Sequence, residues 1–102
     1  MPSFSCSLDK SPFAQMICHD DELAKADSDV FGLFNAWSSN VKGPEVAARY
    51  RAHEEWIRLR DERCKANSIA SNASAEILAS VKACLLQEYH ARAEFYEGEG
   101  DR

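Results

Sequence analysis

Hydrophobic residues recur at alternating intervals of four and three positions along three long segments of the chain. This spacing is typical of helices that pack together in a bundle. The first segment follows Asp20, a residue type favoured at the N-cap, and ends near Asn40, before the helix-breaking Lys42-Gly43-Pro44. Its packing face consists of Leu23, Asp27, Val30, Phe34, Trp37 and Val41, broadened by Phe31 and Leu33. The pattern predicts a long helix with one charged residue, Asp27, on its packing face.

The second and third long segments repeat this spacing. Pro44 opens the second at the first helical position, and Asn72 is the expected N-cap of the third, which runs from Ala73 to about Tyr96. The second face consists of Val46, Tyr50, His53, Ile57, Arg60 and Cys64, with Trp56 beside it. The third face consists of Ile77 or Leu78, Val81, Leu85, Tyr89, Arg92 and Phe95 or Tyr96, with Cys84 on its edge. Because only residues 42–44 separate the first two helices, we expect them to be antiparallel neighbours.

The remaining segments complete a small helical domain. Residues 1–10 are expected to form an extended arm, and Ser11-Pro12 should begin a short helix that ends near Cys18. Residues 65–72 are small and polar, which predicts a loop, and the tail 97–102 should fray. A chain of 102 residues supports one modest core. The sequence thus predicts an all-α bundle of three long helices plus a short N-terminal helix, in a single domain over residues 3–96.

Four cysteines, Cys6, Cys18, Cys64 and Cys84, indicate covalent staples in this bundle. An even count in a short chain favours two disulfides, for which three pairings are open. No two cysteines have zinc-site spacing and no companion histidine pair is present, so we expect no metal and no cofactor. Disulfides form in oxidising compartments, which predicts a periplasmic or secreted protein. No signal peptide is recognisable, so we expect Met1 to be an initiating residue in front of a mature chain.

The charge balance narrows the range of partners. Twelve Lys and Arg against seventeen Asp and Glu give a net charge of −5, so the basic footprint of a nucleic-acid-binding protein is absent. An acidic surface suits a cationic protein partner, because complementary charge accelerates encounter, although the same charge also simply keeps a small domain soluble. No stretch approaches the roughly 18 apolar residues of a transmembrane helix.

Three charged residues lie on the predicted packing faces: Asp27, Arg60 and Arg92. A lone buried charge is strongly unfavourable, so we expect the carboxylate to pair with one or both guanidiniums. Tyr50 or Tyr89 would add a hydroxyl. Such a cluster could be a binding or catalytic centre, but structural ion-pair networks have the same signature. We favour a structural polar cluster that fixes the register of the helices.

Catalytic chemistry has little support in the sequence. General acid–base catalysis needs titratable groups in a cleft, and we expect three packed helices of this size to leave little room for one. His53 lies on an apolar face, as packed core histidines do, and no familiar catalytic motif is present. We therefore predict no catalytic residues and no enzyme function.

Short motifs in a fixed order give the chain a resemblance to a known family. They are Ser3-Phe4-Ser5-Cys6, Ile17-Cys18, Glu22-Leu23-Ala24 with Asp27, Trp56 with Arg60-Asp61 and Cys64, Cys84-Leu85, and Tyr89 with Arg92. In order and spacing they resemble the lysozyme inhibitor LprI-type domain, over nearly the whole chain. His53 is a departure, because that family usually carries Gln at this position. The loop at 65–76 is also longer and richer in Ser and Asn than is usual.

The resemblance implies a small helical module of the bacterial envelope, periplasmic or lipid-anchored. It implies cysteines paired in sequence order, Cys6 with Cys18 and Cys64 with Cys84. It also implies inhibition of a lysozyme-type cell-wall hydrolase, and such enzymes are commonly cationic, which matches the acidic net charge. The candidates for partner binding are the acidic turn Asp20, Asp21 and Glu22 and the loop residues Asn67, Ser68, Ile69, Ser71 and Asn72.

Plainer alternatives remain open for these candidates and for the function. The acidic turn could serve only as a helix cap, and the loop only as a linker. Instead of a hydrolase inhibitor, the chain could be a periplasmic immunity protein that neutralises a delivered toxin by direct binding. It could also be a non-inhibitory interaction module of the envelope.

Overall fold

The computed structural model describes residue 4, residues 6–66, 69–70 and 72–98, and the backbone of 99–100. It contains four α-helices: α1 (Pro12–Cys18), α2 (Asp21–Ser39), α3 (Pro44–Cys64) and α4 (Ala75–Gly100). No strand occurs in this described part of the chain. The predicted all-α fold, with three long helices and a short N-terminal helix, is confirmed.

The starts of the helices follow capping signals in the sequence. Ser11 Oγ accepts a hydrogen bond from the backbone N–H of Ala14 at 3.2 Å, and Asp20 Oδ1 accepts one from that of Leu23 at 3.0 Å. Gly43, at the start of α3, has φ of 65°, a left-handed conformation that is unfavourable for residues with a Cβ. Local sequence therefore sets where α1, α2 and α3 begin.

Helix α4 begins two residues later than predicted. Its first residue is Ala75, and Ser74 rather than Asn72 acts as the cap, because Ser74 Oγ accepts a hydrogen bond from the Ile77 N–H at 3.3 Å. The Ala73 N–H closes a backbone turn instead, which keeps the preceding residues out of the helix. The expectation that Asn72 caps this helix was therefore wrong.

The C-terminal end of α4 also lies beyond the expected boundary. The helix continues to Gly100, so residues 97–100 are helical where a frayed tail was predicted. Tyr96 is buried against α2 and α3, which anchors the last turns. Extension of an anchored helix needs no new nucleation, and each added residue gains a backbone hydrogen bond. The rest of the predicted tail, residues 101–102, lies outside the described residues.

The three long helices run up, down and up. Contacts between α2 and α4 are spaced by two helical turns on each helix, so these helices are parallel. The pairs are Asp20 with Lys82, Asp27 with Tyr89, and Phe34 with Tyr96. Helix α3 is antiparallel to both. It contacts α2 through Arg49 with Trp37 and His53 with Phe34, and α4 through His53 with Tyr96 and Cys64 with Cys84.

The core lies between these helices and is closed at one end by α1. Its buried apolar residues include Ile17, Leu23, Val30, Phe34, Trp37, Trp56, Val81, Leu85, Tyr89 and Tyr96. On α3 the buried positions are His53, Trp56, Arg60 and Cys64, so Trp56 occupies the central core position that the pattern gave to Ile57. Tyr50 lies at the edge of the packing, with 46% of its surface exposed.

Both disulfides connect cysteines that are neighbours in sequence order. Cys6–Cys18 ties the N-terminal arm to the end of α1, and Cys64–Cys84 ties the end of α3 to α4. The pairing implied by the family resemblance is therefore confirmed, and no cysteine is free. None of the described helices is long and apolar enough to cross a membrane. The two disulfides are compatible with a secreted or extracellular protein.

Candidate functional site

A cleft with a volume of about 430 Å³ opens between α1, α2 and α3. The N-terminal arm and the segment after α3 complete its walls, the arm through Phe4 and Asp9 and the later segment through Ala66 and Ile69. Its volume lies within the range of small-ligand pockets, about 300–1,000 Å³. The expectation that the bundle leaves little room for a cleft was wrong. It considered only the three long helices, and these walls come from the connecting segments.

A network of charged side chains forms the base of the cleft. The Tyr89 hydroxyl donates to Asp27 Oδ1 at 3.0 Å and accepts from Arg60 Nη1 at 3.1 Å. Burial raises the pKa of Tyr89 well above its usual range, so the phenol keeps its proton for donation. The structure thus brings Asp27 and Arg60 into one network through a hydroxyl, and Tyr89 is the tyrosine that supplies it.

Asp61 is the second carboxylate beside Arg60. Its Oδ1 accepts from Arg60 Nε at 2.8 Å and lies 2.8 Å from Arg60 Nη2. The Asp61 side chain is 15% exposed and lines the cleft. Asp61 was not predicted to belong to the polar cluster, because it follows Arg60 directly and adjacent helical residues usually face different directions. The adjacent opposite charges of Arg60 and Asp61 in the sequence were the available signal.

Aromatic rings surround the Arg60 guanidinium. Its central carbon lies 5.1 Å from the ring centroid of Phe13, 5.4 Å from that of Trp56 and 5.5 Å from that of Tyr89. Such contacts stabilise a desolvated cation through the electron-rich faces of the rings. Arg60 is therefore held firmly between α1, α3 and α4, and it fixes the position of Asp61.

Arg92, the third charge of the predicted cluster, lies outside the cleft. Its guanidinium carbon is 4.3 Å from the Phe95 ring centroid and 4.7 Å from that of Tyr96. Its Nη2 donates to the Ala52 carbonyl oxygen at 3.4 Å, and its Nε is buried without a hydrogen bond. Arg92 thus packs among the rings at the far end of α4, while Asp27 and Arg60 form the base of the cleft.

His53 links the cleft to the aromatic core. Only 8% of its surface is exposed, and its ring stacks on Phe34 with centroids 4.0 Å apart. Its Nδ1 is hydrogen-bonded to the Tyr96 hydroxyl at 2.5 Å. Burial, with the positive charges of Arg92 and Arg60, lowers the pKa of His53 to about 4. The imidazole is therefore neutral at physiological pH, as expected of a packed core histidine.

The wall formed by the N-terminal arm is held in place by two kinds of contact. Cys6 is bonded to Cys18, and Gln15 Nε2 donates to the backbone carbonyls of Cys6 at 3.0 Å and Asp9 at 2.8 Å. Phe31, on α2, also lines the cleft and has 39% of its surface exposed. The cleft is thus lined both by a disulfide-anchored arm and by an exposed aromatic ring.

The acidic turn proposed for partner binding is engaged within the domain. Asp20 caps α2 and lies 2.9 Å from Lys82 Nζ, and Glu22 lies 3.2 Å from the same nitrogen. The hydrogen bond from Lys82 holds the pKa of Asp20 below its usual range. Asp21 is exposed and lies beside this ion-pair group. The turn therefore has a structural role, in capping α2 and joining it to α4.

The loop candidates divide between described and undescribed residues. Asn67, Ser68 and Ser71 lie outside the described residues. Ile69 is half-buried, packs on the core and lines the cleft, and Asn72 is exposed. Of the loop candidates that the structure describes, Ile69 is the one that belongs to the cleft.

Comparisons with known proteins leave the family open. No family model matches the chain, and no curated protein or solved structure matches it. Within the described residues, no group of three or more His, Cys, Asp or Glu is placed to hold a metal ion. The arrangement offers a small cleft lined by aromatic side chains and carboxylates.

Proposed function

We propose that the chain is a binding protein of the bacterial envelope that inhibits a lysozyme-type cell-wall hydrolase by direct contact. The observation that carries this proposal is the charge of the cleft. The described residues that line it include three carboxylates, Asp9, Asp27 and Asp61, against one guanidinium, Arg60. With His53 neutral, these described lining residues carry a net charge of −2.

Three further properties support an inhibitor. The whole chain has a net charge of −5, which suits the cationic surface common among lysozymes. Two disulfides keep a small domain rigid, and a rigid binding surface loses little conformational entropy on association. The ordered motifs from Cys6 to Arg92 resemble those of the lysozyme inhibitor LprI-type domain. The partner would therefore be a cationic protein.

A lysis assay tests the proposal. The purified, oxidised chain is added in increasing amounts to a lysozyme that clears a suspension of bacterial cell walls. We expect clearing to stop as the chain approaches molar excess, and the inhibition to weaken at high salt because the association is electrostatic. A reduced and alkylated sample of the same chain is the control, because it keeps the composition and loses the staples.

Unchanged lysis at large excess would refute the inhibitor function. If the chain then bound an envelope-targeting toxin tightly and protected cells from it, the immunity function would replace the proposal. Co-purification with an envelope complex, without inhibition of any enzyme in it, would indicate a non-inhibitory interaction module.

A further inference from the structure

We infer that the cleft receives a lysine or arginine side chain from a protruding segment of its protein partner, with Asp61 as the acceptor at its base. The nature of the partner rests on the proposed inhibitor function, whereas the chemistry of the cleft rests on its own residues.

Asp61 has an acceptor to spare. Both of its contacts with Arg60 are made by Oδ1, and no described residue donates to Oδ2. Oδ2 is also not among the fully buried atoms that lack a hydrogen bond, so it retains access to solvent. A carboxylate oxygen at the base of a partly desolvated cleft is a strong acceptor for an ammonium or guanidinium group. Arg60 holds this carboxylate in place, which lowers the entropic cost of binding.

His53 provides a second, independent group that is available for hydrogen bonding. The imidazole lines the cleft and is more than nine-tenths buried, yet only Nδ1 has a hydrogen-bond partner among the described residues. When the Tyr96 hydroxyl donates to Nδ1 of the neutral ring, Nε2 carries the proton and can donate. A peptide carbonyl is a suitable acceptor for that proton. The base of the cleft therefore offers an acceptor for a cation and a donor for a peptide oxygen.

The walls suit the stem of a basic side chain. Phe13, Val30, Phe31 and Ile57 line the same cleft as Asp61 and give it apolar walls. Lysine and arginine carry an apolar stem and a charged head, so the stem can pack on these walls while the head reaches Asp61. A neutral apolar side chain would fill the same walls and leave Asp61 Oδ2 desolvated without a hydrogen bond, which is unfavourable. Charge and shape together thus select a long cationic side chain.

A peptide titration tests the inference with the full oxidised chain. Three hexapeptides, identical except for a central lysine, arginine or norleucine, are titrated while backbone amide NMR signals are recorded. We expect the two basic peptides to shift the signals of cleft residues and the norleucine peptide to leave them unchanged. Asp61→Asn should weaken binding of the basic peptides about tenfold or more. Asp29→Asn is the matched control, because it removes the same charge from an exposed position outside the cleft.

A second pair of variants leaves the polar network intact. Phe31→Lys places a cation at the mouth of the cleft, whereas Phe95→Lys places one at a position of similar exposure, 41% against 39%, outside the cleft. We expect loss of peptide binding with Phe31→Lys and little change with Phe95→Lys. This pair decides the question if Asp61→Asn fails to fold.

Several results would overturn the inference. Equal weakening by Asp61→Asn and Asp29→Asn would show that overall charge, and not the cleft, attracts the peptide. Equal binding of the norleucine peptide would show an apolar groove without a cation site. Free N-acetyl-lysine amide binding as tightly as the peptide would indicate a small-molecule site. If Asp61→Asn still inhibits lysozyme fully, the inference fails and the inhibitor function stands. If Asp61-dependent peptide binding occurs without inhibition, the reverse holds.

Discussion

Replacement of Tyr89 by phenylalanine isolates the hydroxyl that joins the two buried charges. Tyr89 is 2% exposed, and phenylalanine has the same ring, so apolar packing is preserved. The substitution removes two hydrogen bonds, one to Asp27 and one from Arg60, each to a charged partner. It leaves both charges with one partner fewer in a region shielded from water.

The expected loss of stability is large for so small a change. A hydrogen bond to a charged group contributes about 1.5–3 kcal/mol, and bonds in one network are not additive, so we expect the free energy of unfolding to fall by about 2–4 kcal/mol. For a chain of this length each 1 kcal/mol corresponds to about 4 °C, so the melting temperature should fall by about 8–16 °C. The variant should still fold, because small domains have about 5–15 kcal/mol of stability.

Urea unfolding of the oxidised protein at pH 7.5, followed by far-UV circular dichroism, measures this loss. If the free energy of unfolding depends on urea concentration with the same slope in the variant and in the wild-type protein, the shift of the midpoint reports a change in stability alone. Tyr50→Phe is the control, because its hydroxyl makes no hydrogen bond to a described residue and its side chain is largely exposed. It should change stability by less than about 0.5 kcal/mol. If Tyr89→Phe matched this control, the bridging role assigned to the hydroxyl would be refuted.

Further predictions concern the staples, a buried imidazole and a helix cap. Replacing Cys64 and Cys84 by alanine removes a disulfide between residues 20 positions apart, so the free energy of unfolding measured with urea should fall by about 3 kcal/mol. A decrease of less than about 1 kcal/mol would contradict a stabilising role for this disulfide. The pKa of His53 is about 4 in the folded chain against 6.5 when unfolded, so the unfolded chain gains a proton first as the pH falls. The contribution of His53 to the free energy of unfolding is therefore fully present above pH 6.5 and decreases by about 3 kcal/mol toward pH 4. In His53→Gln the free energy of unfolding, measured with urea at several pH values, should depend less on pH. An unchanged pH dependence would assign the effect to other groups. Asp20→Ala removes the N-cap of α2 and an ion pair to α4, so the free energy of unfolding, measured by thermal unfolding, should fall by about 1–2 kcal/mol. The neighbouring substitution Asp21→Ala is the control and should have a much smaller effect. Equal losses of stability in the two variants would contradict the capping role.

The helices and their N-terminal caps were predictable because their signals are local. The N-cap oxygens of Ser11 and Asp20 stand next to the helices they start, and their bonds reach only to the next turn. The exception was α4, for which Asn72 was predicted as the cap and Ser74 takes that role. A backbone turn before α4 decides in favour of Ser74.

The central core position on α3 was less predictable for a geometric reason. Trp56 and Ile57 are adjacent, and a period of 3.6 residues allows either to face the core. Trp56 lies inside because its ring packs between His53 and Tyr89, with centroid distances of 5.7 Å and 5.9 Å. His53 lies on α3 but Tyr89 lies on α4, so helical periodicity within α3 alone could not identify the buried residue.

The cleft was the least predictable feature because it depends on segments without periodicity. Its walls include Phe4, Asp9 and Ile69, which lie on the arm and on the chain after α3. The arm is held by the Cys6–Cys18 disulfide and by hydrogen bonds from Gln15, and helical periodicity predicts neither contact. The sequence identified the charges and the cysteines separately, and only the fold brings them to the same place.

The polar network lies beside an open cleft, so it can be both a structural cluster and part of a binding site. A charge pair closed off in a core loses its hydration and often contributes little net stability. Here Asp27 and Arg60 are held by Tyr89 on the side of the core, while Asp61 extends the network to the cleft, where solvent still reaches it. The network can therefore fix the register of α2, α3 and α4 and still present an acceptor to a partner. Asp61 can serve both roles, because its Oδ1 neutralises the buried Arg60 and its Oδ2 has no donor among the described residues.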